Sequence, residues 1–194
     1  KEVYSLFDVV RFGEEHCFGL WSCGLRAGDS MFFCFHWGTW VGLWTLYWTA
    51  RKIGLTVLSG GGMSTQERIK QIISLKPTCV VGTPTYLLHM MHVAQEMGLD
   101  VREAGVKFLI GGGEPGFSIP ATRELVQEGW GGPTLIDAYG MSEVGVVNCE
   151  CGAHPLGVHC TEDGSHSFSL DPETGQKVGE GQVGENIITS YNRA

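Results

Sequence analysis

Two short segments of the sequence combine glycine with residues that can contact a phosphorylated ligand. They are Gly111-Gly112-Gly113-Glu114-Pro115 and Asp137-Ala138-Tyr139-Gly140-Met141-Ser142-Glu143. Consecutive glycines let the backbone approach a flat or phosphorylated molecule closely, while Ser142 beside Glu143 supplies a hydroxyl donor and an oxygen ligand for a metal ion. Tyr139 offers an aromatic face on which a base can stack. The first segment alone is equally compatible with a tight turn before a helix, so the interpretation depends on the pair.

Strand-like and helix-like runs alternate around these segments. The predicted strands are residues 30–35, 56–58, 79–81, 107–110 and 134–137, and the predicted helices are residues 41–53, 64–75, 86–97 and 119–128. Strands separated by helices of about ten or more residues predict an α/β fold with a mainly parallel sheet flanked by helices. Both segments follow predicted strands, and ligands of such sheets bind at the carboxyl ends of the strands.

The character of the chain changes after residue 147. Short glycine-, histidine- and cysteine-rich stretches are followed by the strand-like residues 165–170, the turn Asp171-Pro172-Glu173-Thr174-Gly175 and residues 184–191. This pattern predicts a β-rich C-terminal portion. We therefore divide one large domain into an α/β nucleotide- and substrate-binding region, residues 1–147, and a Cys/His-rich, β-rich extension, residues 148–194.

The composition is that of one globular unit. The 194 residues are 43% hydrophobic and 18% charged, which is enough to bury a core. The net charge of −8 comes without a Lys/Arg cluster, which argues against a nucleic-acid surface.

Seven cysteines, an odd number, favour reduced thiols inside the cell. Residues 31–50 are apolar, but His36, Gly38 and Gly42 interrupt them, so we expect no membrane span. Oligomerisation stays open.

The order and spacing of the two segments resemble the phenylacetate-CoA ligases of the adenylate-forming superfamily. Supporting segments are Gly82-Thr83-Pro84-Thr85-Tyr86, Glu162-Asp163, and Asp171–Gly175 leading to Gly184-Glu185. The resemblance covers nearly the whole chain. It implies ATP-dependent activation of an aryl or related carboxylic acid to an acyl-adenylate, followed by transfer to CoA. Since ATP and CoA are cytoplasmic, the resemblance also implies a cytoplasmic protein.

The resemblance implies roles for individual residues. Glu114 and the backbone around it would border the adenine, Ser142 would contact the α-phosphate, and Glu143 would hold the Mg²⁺ that bridges the ATP phosphates. Ser142 and Glu143 are thus the implied catalytic residues. The implied ATP/AMP-binding residues are Gly112, Gly113, Glu114, Pro115, Asp137, Ala138, Tyr139, Gly140, Met141 and Ser142.

The sequence departs from the family pattern at both ends. The family's Ser/Thr/Gly-rich phosphate loop does not precede Lys1, and neither an Arg-Thr-Gly-Asp-like segment nor a C-terminal domain with a catalytic lysine follows Ala194. We therefore expect a fragment of a longer enzyme. Two alternatives are a non-catalytic nucleotide-binding module and an enzyme that transfers the adenylate to an amine or a carrier-protein thiol.

An aromatic stretch, residues 32–40, occupies the place where the family walls its acid pocket. His36, Trp37 and Gly38 are the predicted substrate-binding residues. His36 is the best single candidate, because a polar ring at the end of an apolar strand needs a partner. The alternative is that these aromatic residues belong to the core and that His36 is a core histidine with a local partner, since pockets and cores share composition.

A dense group of soft donors lies further along the chain, and its five members are Cys149, Cys151, His154, His159 and Cys160. Thiolate and imidazole groups at short spacing can converge on tetrahedral Zn²⁺, although this spacing is not that of a standard zinc finger. Some relatives use a Cys and a His here together with a later Cys-x-Cys that this chain lacks. That resemblance favours Cys151 and His159 as the structural pair. The alternative is a set of reduced cysteines near a loop.

Overall fold

The computed structural model describes residues 3–151 and 154–191, except for the side chains of Val146 and His154. The helices within this part are α1 Leu6–Ser22, α2 Val41–Ile53, α3 Thr65–Leu75, α4 Pro84–Glu96 and α5 Pro120–Gly129, with a short 3-10 helix at Val101–Ala104. The strands are β1 Ser30–Phe33, β2 Thr56–Ser59, β3 Cys79–Gly82, β4 Phe108–Gly112, β5 Thr134–Met141, β6 Val146–Cys151, β7 His154–His159, β8 Ser165–Leu170 and β9 Glu185–Ser190.

Seven strands form one mixed sheet in the order β2-β1-β3-β4-β5-β6-β7. The first five pair in parallel, and β6 and β7 extend the sheet as antiparallel strands. Strands β8 and β9 form a separate antiparallel pair. The predicted α/β class, with its mainly parallel sheet, flanking helices and β-rich C-terminal portion, is confirmed. The division at residue 147 stays a prediction, and β6 runs across it.

Alternate residues of the parallel strands enter two different cores. Phe32, Val80 and Leu109 pack with α3, α4 and α5 on one face, whereas Phe33 and Ile110 pack with α1 and α2 on the other. This follows from the two-residue period of a strand. Because both faces are covered, the central strands β1, β3 and β4 are mostly apolar, and a ligand would bind at the carboxyl ends of the strands.

The residues that begin helices α3 and α4 also determine where the preceding segments end. The Thr83 hydroxyl accepts from the backbone N–H of Tyr86 and caps α4, with Pro84 in its first turn, which is the position where proline loses no helical hydrogen bond. Ser64 and Glu67 form a capping box that starts α3. The short link between β3 and α4 therefore brings the start of α4 against the glycine segment that ends β4.

The two chemistry-bearing segments are more regular than the sequence predicts. β4 runs to Gly112 and β5 runs to Met141, so most of the second segment is strand rather than loop, because β6 pairs with it. The long helix α1 has no counterpart among the predicted elements. Residues 31–50 contain a strand, a loop and the start of a helix, and the described part of the chain holds no helix with the length and apolarity of a membrane span.

Candidate functional site

The parallel pairing of β4 and β5 places the two glycine-containing segments side by side. Gly111 is opposite Asp137 and Gly112 is opposite Ala138. Neither Gly111 nor Gly112 has room for a side chain, because a Cβ would lie 2.6 Å from the Phe117 ring in the first case and 2.8 Å from the Ala138 carbonyl oxygen in the second. The glycines therefore permit close packing at the strand ends, and they also leave the backbone accessible beyond β4.

A cavity of about 640 Å³, here called the open cavity, lies beyond these strand ends. Its lining residues come from both segments, from the loop before α5 and from β7, and they are Gly113, Glu114, Pro115, Ser118, Asp137, Ala138, Tyr139, Gly140, Leu156, Gly157 and Val158. Seven of the ten predicted nucleotide-binding residues are among them. Ser118 and the three β7 residues were not predicted to line it, since only the pairing of β7 with β6 brings that segment here.

A second cavity of about 220 Å³, here called the apolar cavity, lies on the other side of the end of β5. Aromatic, aliphatic and glycine residues dominate its lining, which comprises Phe35, Trp40, Val41, Gly42, Thr45, Leu46, Val81, Ile110, Gly112, Gly113, Ala138, Gly140, Met141, Ser142, Gly145 and Val147. Gly112, Met141 and Ser142, the remaining predicted nucleotide-binding residues, lie here. Gly113, Ala138 and Gly140 border both cavities, so these small residues lie between them.

The predicted substrate-binding residues lie beside the apolar cavity rather than in its lining. His36 and Gly38 are exposed, and the Trp37 indole donates to the Ser59 hydroxyl while packing on Phe33. Phe35 and Trp40, from the same aromatic stretch, line the cavity instead. The strand ends at Phe33 and the following loop turns these rings in different directions, which residue type alone does not reveal. The role of His36, Trp37 and Gly38 in binding the acid stays a prediction.

The Glu114 side chain holds the first segment in place. Its Oε1 accepts from the backbone N–H of Thr85 at 2.6 Å, in the first turn of α4, where unpaired N–H groups favour a carboxylate. Gly116 lies so close to Pro84 that a Cβ there would be 2.1 Å from the proline ring. Glu114 therefore borders the open cavity, and one of its carboxylate oxygens is already hydrogen-bonded to the start of α4.

Asp137 is half-buried at the base of the open cavity. Burial raises the pKa of its carboxyl group, the charge of Glu150 raises it further, and Arg123 opposes both. The Glu150 side chain is 2% exposed and lies 2.9 Å from the Arg123 guanidinium. Asp137 is thus a carboxyl group whose protonated form is favoured more than usual, which suits a hydrogen-bond donor as well as an acceptor.

Residues 142–145 form the turn between β5 and β6, and α1 holds this turn together with Tyr4, just before the helix. The Tyr4 hydroxyl donates to the Ser142 carbonyl oxygen. His16 Nε2 lies 3.2 Å from both the Gly145 carbonyl oxygen and the Val147 nitrogen. Burial lowers the pKa of His16 from 6.5 to about 4, so this imidazole is neutral at pH 7. Sequence reasoning missed Tyr4 and His16, because no local motif marks them.

The Glu143 side chain lies on this turn and is exposed. An accessible carboxylate is the kind of oxygen donor that Mg²⁺ takes, usually one or two carboxylates together with phosphate oxygens. Glu143 therefore fits the implied Mg²⁺ as a single protein ligand. Ser142 faces the apolar cavity immediately before it.

The cysteine and histidine residues of β6 and β7 are only partly brought together. His159 Nε2 lies 2.9 Å from Cys151 Sγ, whereas Cys149 is buried and burial raises the pKa of its thiol to about 12. Cys160 is exposed, and its sulfur accepts from Asn148 Nδ2 at 3.7 Å. The His154 side chain lies outside the described residues. Within the described part, no group of three or more His, Cys, Asp or Glu residues is arranged to hold a metal ion.

A structural zinc ion takes four protein ligands, and Cys151 with His159 supplies two. The described residues therefore do not complete a zinc site, and zinc binding stays a prediction. The pair borders a third cavity, of about 580 Å³, together with His16, Glu162 and Asp163.

Comparisons with known proteins agree with this geometry. A family model described as AMP-binding enzyme matches residues 14–193. The chain is 30% identical to the phenylacetate-coenzyme A ligase of Aromatoleum evansii over 98% of its own length and 43% of that protein. It is 28% identical to the phenylacetate-coenzyme A ligase of Thermus thermophilus over 98% of its length and 42% of that protein. The chain thus spans less than half the length of these curated relatives.

Solved structures show the same likeness. An open conformation of 2-hydroxyisobutyryl-CoA ligase in complex with 2-HIB-AMP and CoA superimposes with a TM-score of 0.90 and 25% identity, covering 96% of this chain and 44% of that one. A long-chain-fatty-acid-CoA ligase from Archaeoglobus fulgidus superimposes with a TM-score of 0.74 and 15% identity, over 95% of this chain and 38% of that one. The second likeness shows the fold alone.

Proposed function

Because the chain belongs to the AMP-binding enzyme family, we propose that it supplies the acid- and ATP-binding region of an AMP-forming acid–CoA ligase. The observation that carries this proposal is the pair of cavities on the two sides of the end of β5, which share Gly113, Ala138 and Gly140 in their linings. Two substrates bound in these cavities would meet across backbone and a single methyl group. That arrangement suits a reaction between a carboxylate and a phosphate, because only small residues separate the two reacting groups.

The open cavity is the proposed site of ATP and AMP. Its volume of about 640 Å³ lies within the range of ordinary ligand pockets, about 300–1,000 Å³. Tyr139 is 42% exposed at its edge and offers a ring for stacking on the adenine. Glu114 and Asp137 supply polar groups beside that ring. The structure of a 2-hydroxyisobutyryl-CoA ligase holding an acyl-AMP supports a nucleotide in this part of the fold.

The apolar cavity is the proposed site of the acid. Its volume of about 220 Å³ exceeds that of a cavity known to hold benzene, about 150 Å³, and so leaves room for a ring with a short side chain. Phe35 and Trp40 lie 4.9 Å apart as tilted rings and present aromatic faces to such a ring. Since two curated relatives are phenylacetate-coenzyme A ligases, an arylacetic acid is the first candidate substrate.

The proposed reaction has two steps. A carboxylate oxygen of the acid attacks the α-phosphorus of ATP, the bond to the bridging oxygen breaks, and pyrophosphate leaves. The CoA thiol then adds to the carbonyl carbon, loses its proton, and AMP leaves as the thioester forms. In this proposal the Ser142 hydroxyl would donate to an α-phosphate oxygen, and Glu143 would ligate Mg²⁺. Bound Mg²⁺ would neutralise the phosphate charge that develops on pyrophosphate.

Acid-dependent exchange of pyrophosphate into ATP tests the first step, in the protein at its full natural length. We expect exchange with phenylacetate, and thioester formation when CoA is added. Exchange followed by product formation only with an amine or a carrier-protein thiol would assign the adenylate to another acceptor. Binding of AMP without exchange for any aryl or alkyl acid would contradict the enzyme and favour the non-catalytic nucleotide-binding module. Use of ATP and CoA would also support the cytoplasm as the place of action.

A further inference from the structure

Glu150 is a buried charged residue for which the proposed reaction has no use. It lies on β6, and 2% of its side chain is exposed. Carboxylates are almost never buried to this degree unless they are paired. Arg123 of α5 provides the partner at 2.9 Å, and that guanidinium also donates to the carbonyl oxygens of Phe117 and Leu135, each at 3.3 Å. The pair therefore sits inside a hydrogen-bonded network rather than on the surface.

The Glu150 carboxylate contacts two strands that wall the open cavity. Its Oε2 accepts from the backbone N–H of Asp137 at 3.0 Å, and its Oε1 accepts from the backbone N–H of Leu156 at 2.7 Å. Asp137 belongs to β5 and Leu156 to β7, and both line the open cavity. One side chain thus joins two walls of the cavity from behind.

The wall contributed by β7 needs this support. Cys149 pairs with His159 and Cys151 with His154, so Glu150 alone faces residues 155–158, which form an irregular bulge. Within the bulge Leu156 has a φ of 71°, a left-handed conformation that is unfavourable for a residue with a side chain. Such a conformation persists only where surrounding contacts hold it. The short bond from the Leu156 N–H to Glu150 is such a contact.

We propose that Glu150 is a positioning residue that sets the spacing between the β5 and β7 walls of the open cavity and so determines how tightly the nucleotide binds. Arg123 pairs with the carboxylate and orients it. The inference rests on the proposed function, because it needs the open cavity to be the nucleotide site. Glu150 does not line that cavity and therefore acts through the backbone of Asp137 and Leu156.

The test is Glu150→Gln in the protein at its full natural length. The amide keeps the shape but replaces one accepting oxygen with an N–H₂ group, so one wall loses its bond and Arg123 loses its counter-charge. We expect the KM for ATP to rise about tenfold, the scale of a lost hydrogen bond to a charged group, while the KM for the acid changes less than about twofold. The matched control is Glu124→Gln, which removes an exposed carboxylate from α5 and should alter neither constant.

An unchanged KM for ATP in a folded Glu150→Gln variant, with wild-type protein that binds AMP, overturns the Glu150 inference alone. Equal rises in both KM values also overturn it, since they indicate general loosening of the fold. Wild-type protein that binds no AMP contradicts the proposed function and this inference with it.

A second measurement on unmodified protein decides the matter if the variant does not fold. We expect hydrogen–deuterium exchange at the Asp137 and Leu156 amides to be protected, and expect AMP to slow both further and together. Exchange of Leu156 at the rate of an unstructured chain, or an effect of AMP on Asp137 without one on Leu156, overturns the proposal.

Discussion

Single residues at the β5–β6 turn carry the chemistry that we propose. Glu143 is exposed while Ser142 is half-buried and borders the apolar cavity. The two neighbours therefore have different surroundings: the Glu143 carboxylate is exposed to solvent, and Ser142 lines the cavity that we propose for the acid. Replacing either residue tests a function rather than the packing of a core.

We predict that Glu143→Gln abolishes acid-dependent pyrophosphate exchange and leaves the melting temperature unchanged. The substitution removes the charge that would hold Mg²⁺ but keeps the volume, and the side chain is exposed, so folding has little reason to respond. The exchange assay and a thermal melt measure the two outcomes. Glu128→Gln, at an exposed position on α5, is the matched control. Near-normal exchange by the Glu143 variant would remove Glu143 from the metal site.

We predict that Tyr139→Ala weakens ATP binding more than acid binding. The ring is 42% exposed beside the open cavity and outside the lining of the apolar cavity, so its loss should remove a stacking surface for the adenine. By analogy with base stacking on aromatic residues, the cost is about 1–3 kcal/mol of binding free energy. Calorimetric titration with each ligand measures it, and Tyr139→Phe should retain most of the affinity. Equal losses for both ligands would argue against stacking.

At the scale of elements, the β6–β7 hairpin both walls the open cavity and brings Cys151 and His159 together. Its regular ends pair Cys149 with His159 and Cys151 with His154, and its bulge reaches into the open cavity through Leu156, Gly157 and Val158. The same hairpin brings Cys151 and His159 into contact on the opposite side, beside the third cavity. A ligand in the open cavity would therefore lie close to any metal ion bound by Cys151 and His159.

Zinc in this hairpin is a separate prediction. Cys151 and His159 supply two ligands, so we expect about one equivalent of zinc, the stoichiometry of a structural site, only where further ligands complete the four. A chelator should then lower the melting temperature. Elemental analysis of protein of full natural length, purified without chelator, measures the content, with Cys151→Ser as the comparison. Zinc below about a tenth of an equivalent would contradict the prediction, and these cysteines would be bystanders.

At the scale of the whole molecule, α1 connects the first residues described to the centre of the site. It packs on α2 on one side and reaches β6 through His16. The turn that carries Ser142 and Glu143 is thus braced by Tyr4 and His16, which are more than a hundred residues away in sequence. Loss of that brace should affect the stability of the whole fold.

We predict that the stability of the protein falls as the pH drops from about 6.5 towards 4. The pKa of His16 is lowered to about 4 in the fold from its ordinary value of 6.5, so the unfolded chain binds a proton more readily than the folded one between these values. This contribution is fully present above pH 6.5, is lost progressively as the pH falls, and amounts to at most about 3 kcal/mol.

Urea unfolding at several pH values measures this dependence. The matched variant is His16→Gln, which does not titrate in this range and should show a flatter profile between pH 6.5 and 4. His92→Gln, at an exposed position on α4, should keep the wild-type slope. Identical slopes for wild type and His16→Gln would show that the imidazole is accessible and titrates normally in the folded protein.

The sequence by itself determined the class of fold and predicted where along the chain the candidate site lies. Alternating strand-like and helix-like runs predict a parallel sheet because each element shows its period locally. Residues 41–53, predicted as a helix, match α2 end to end. The segments at Gly111 and Asp137 were found because glycine, hydroxyl and carboxylate residues at strand ends have few purely structural uses. Family resemblance added the assignment of ligands to these residues.

Only the tertiary structure decided which residues face each cavity. Phe35 and Trp40, rather than His36, Trp37 and Gly38, line the apolar cavity, because the direction of each ring depends on how the loop after β1 packs. The contacts of Glu150 with Asp137 and Leu156 depend on a bulge between paired strands, and the brace from His16 depends on the docking of α1. These are contacts between parts of the chain that are distant in sequence, and a local pattern of residue types does not predict them.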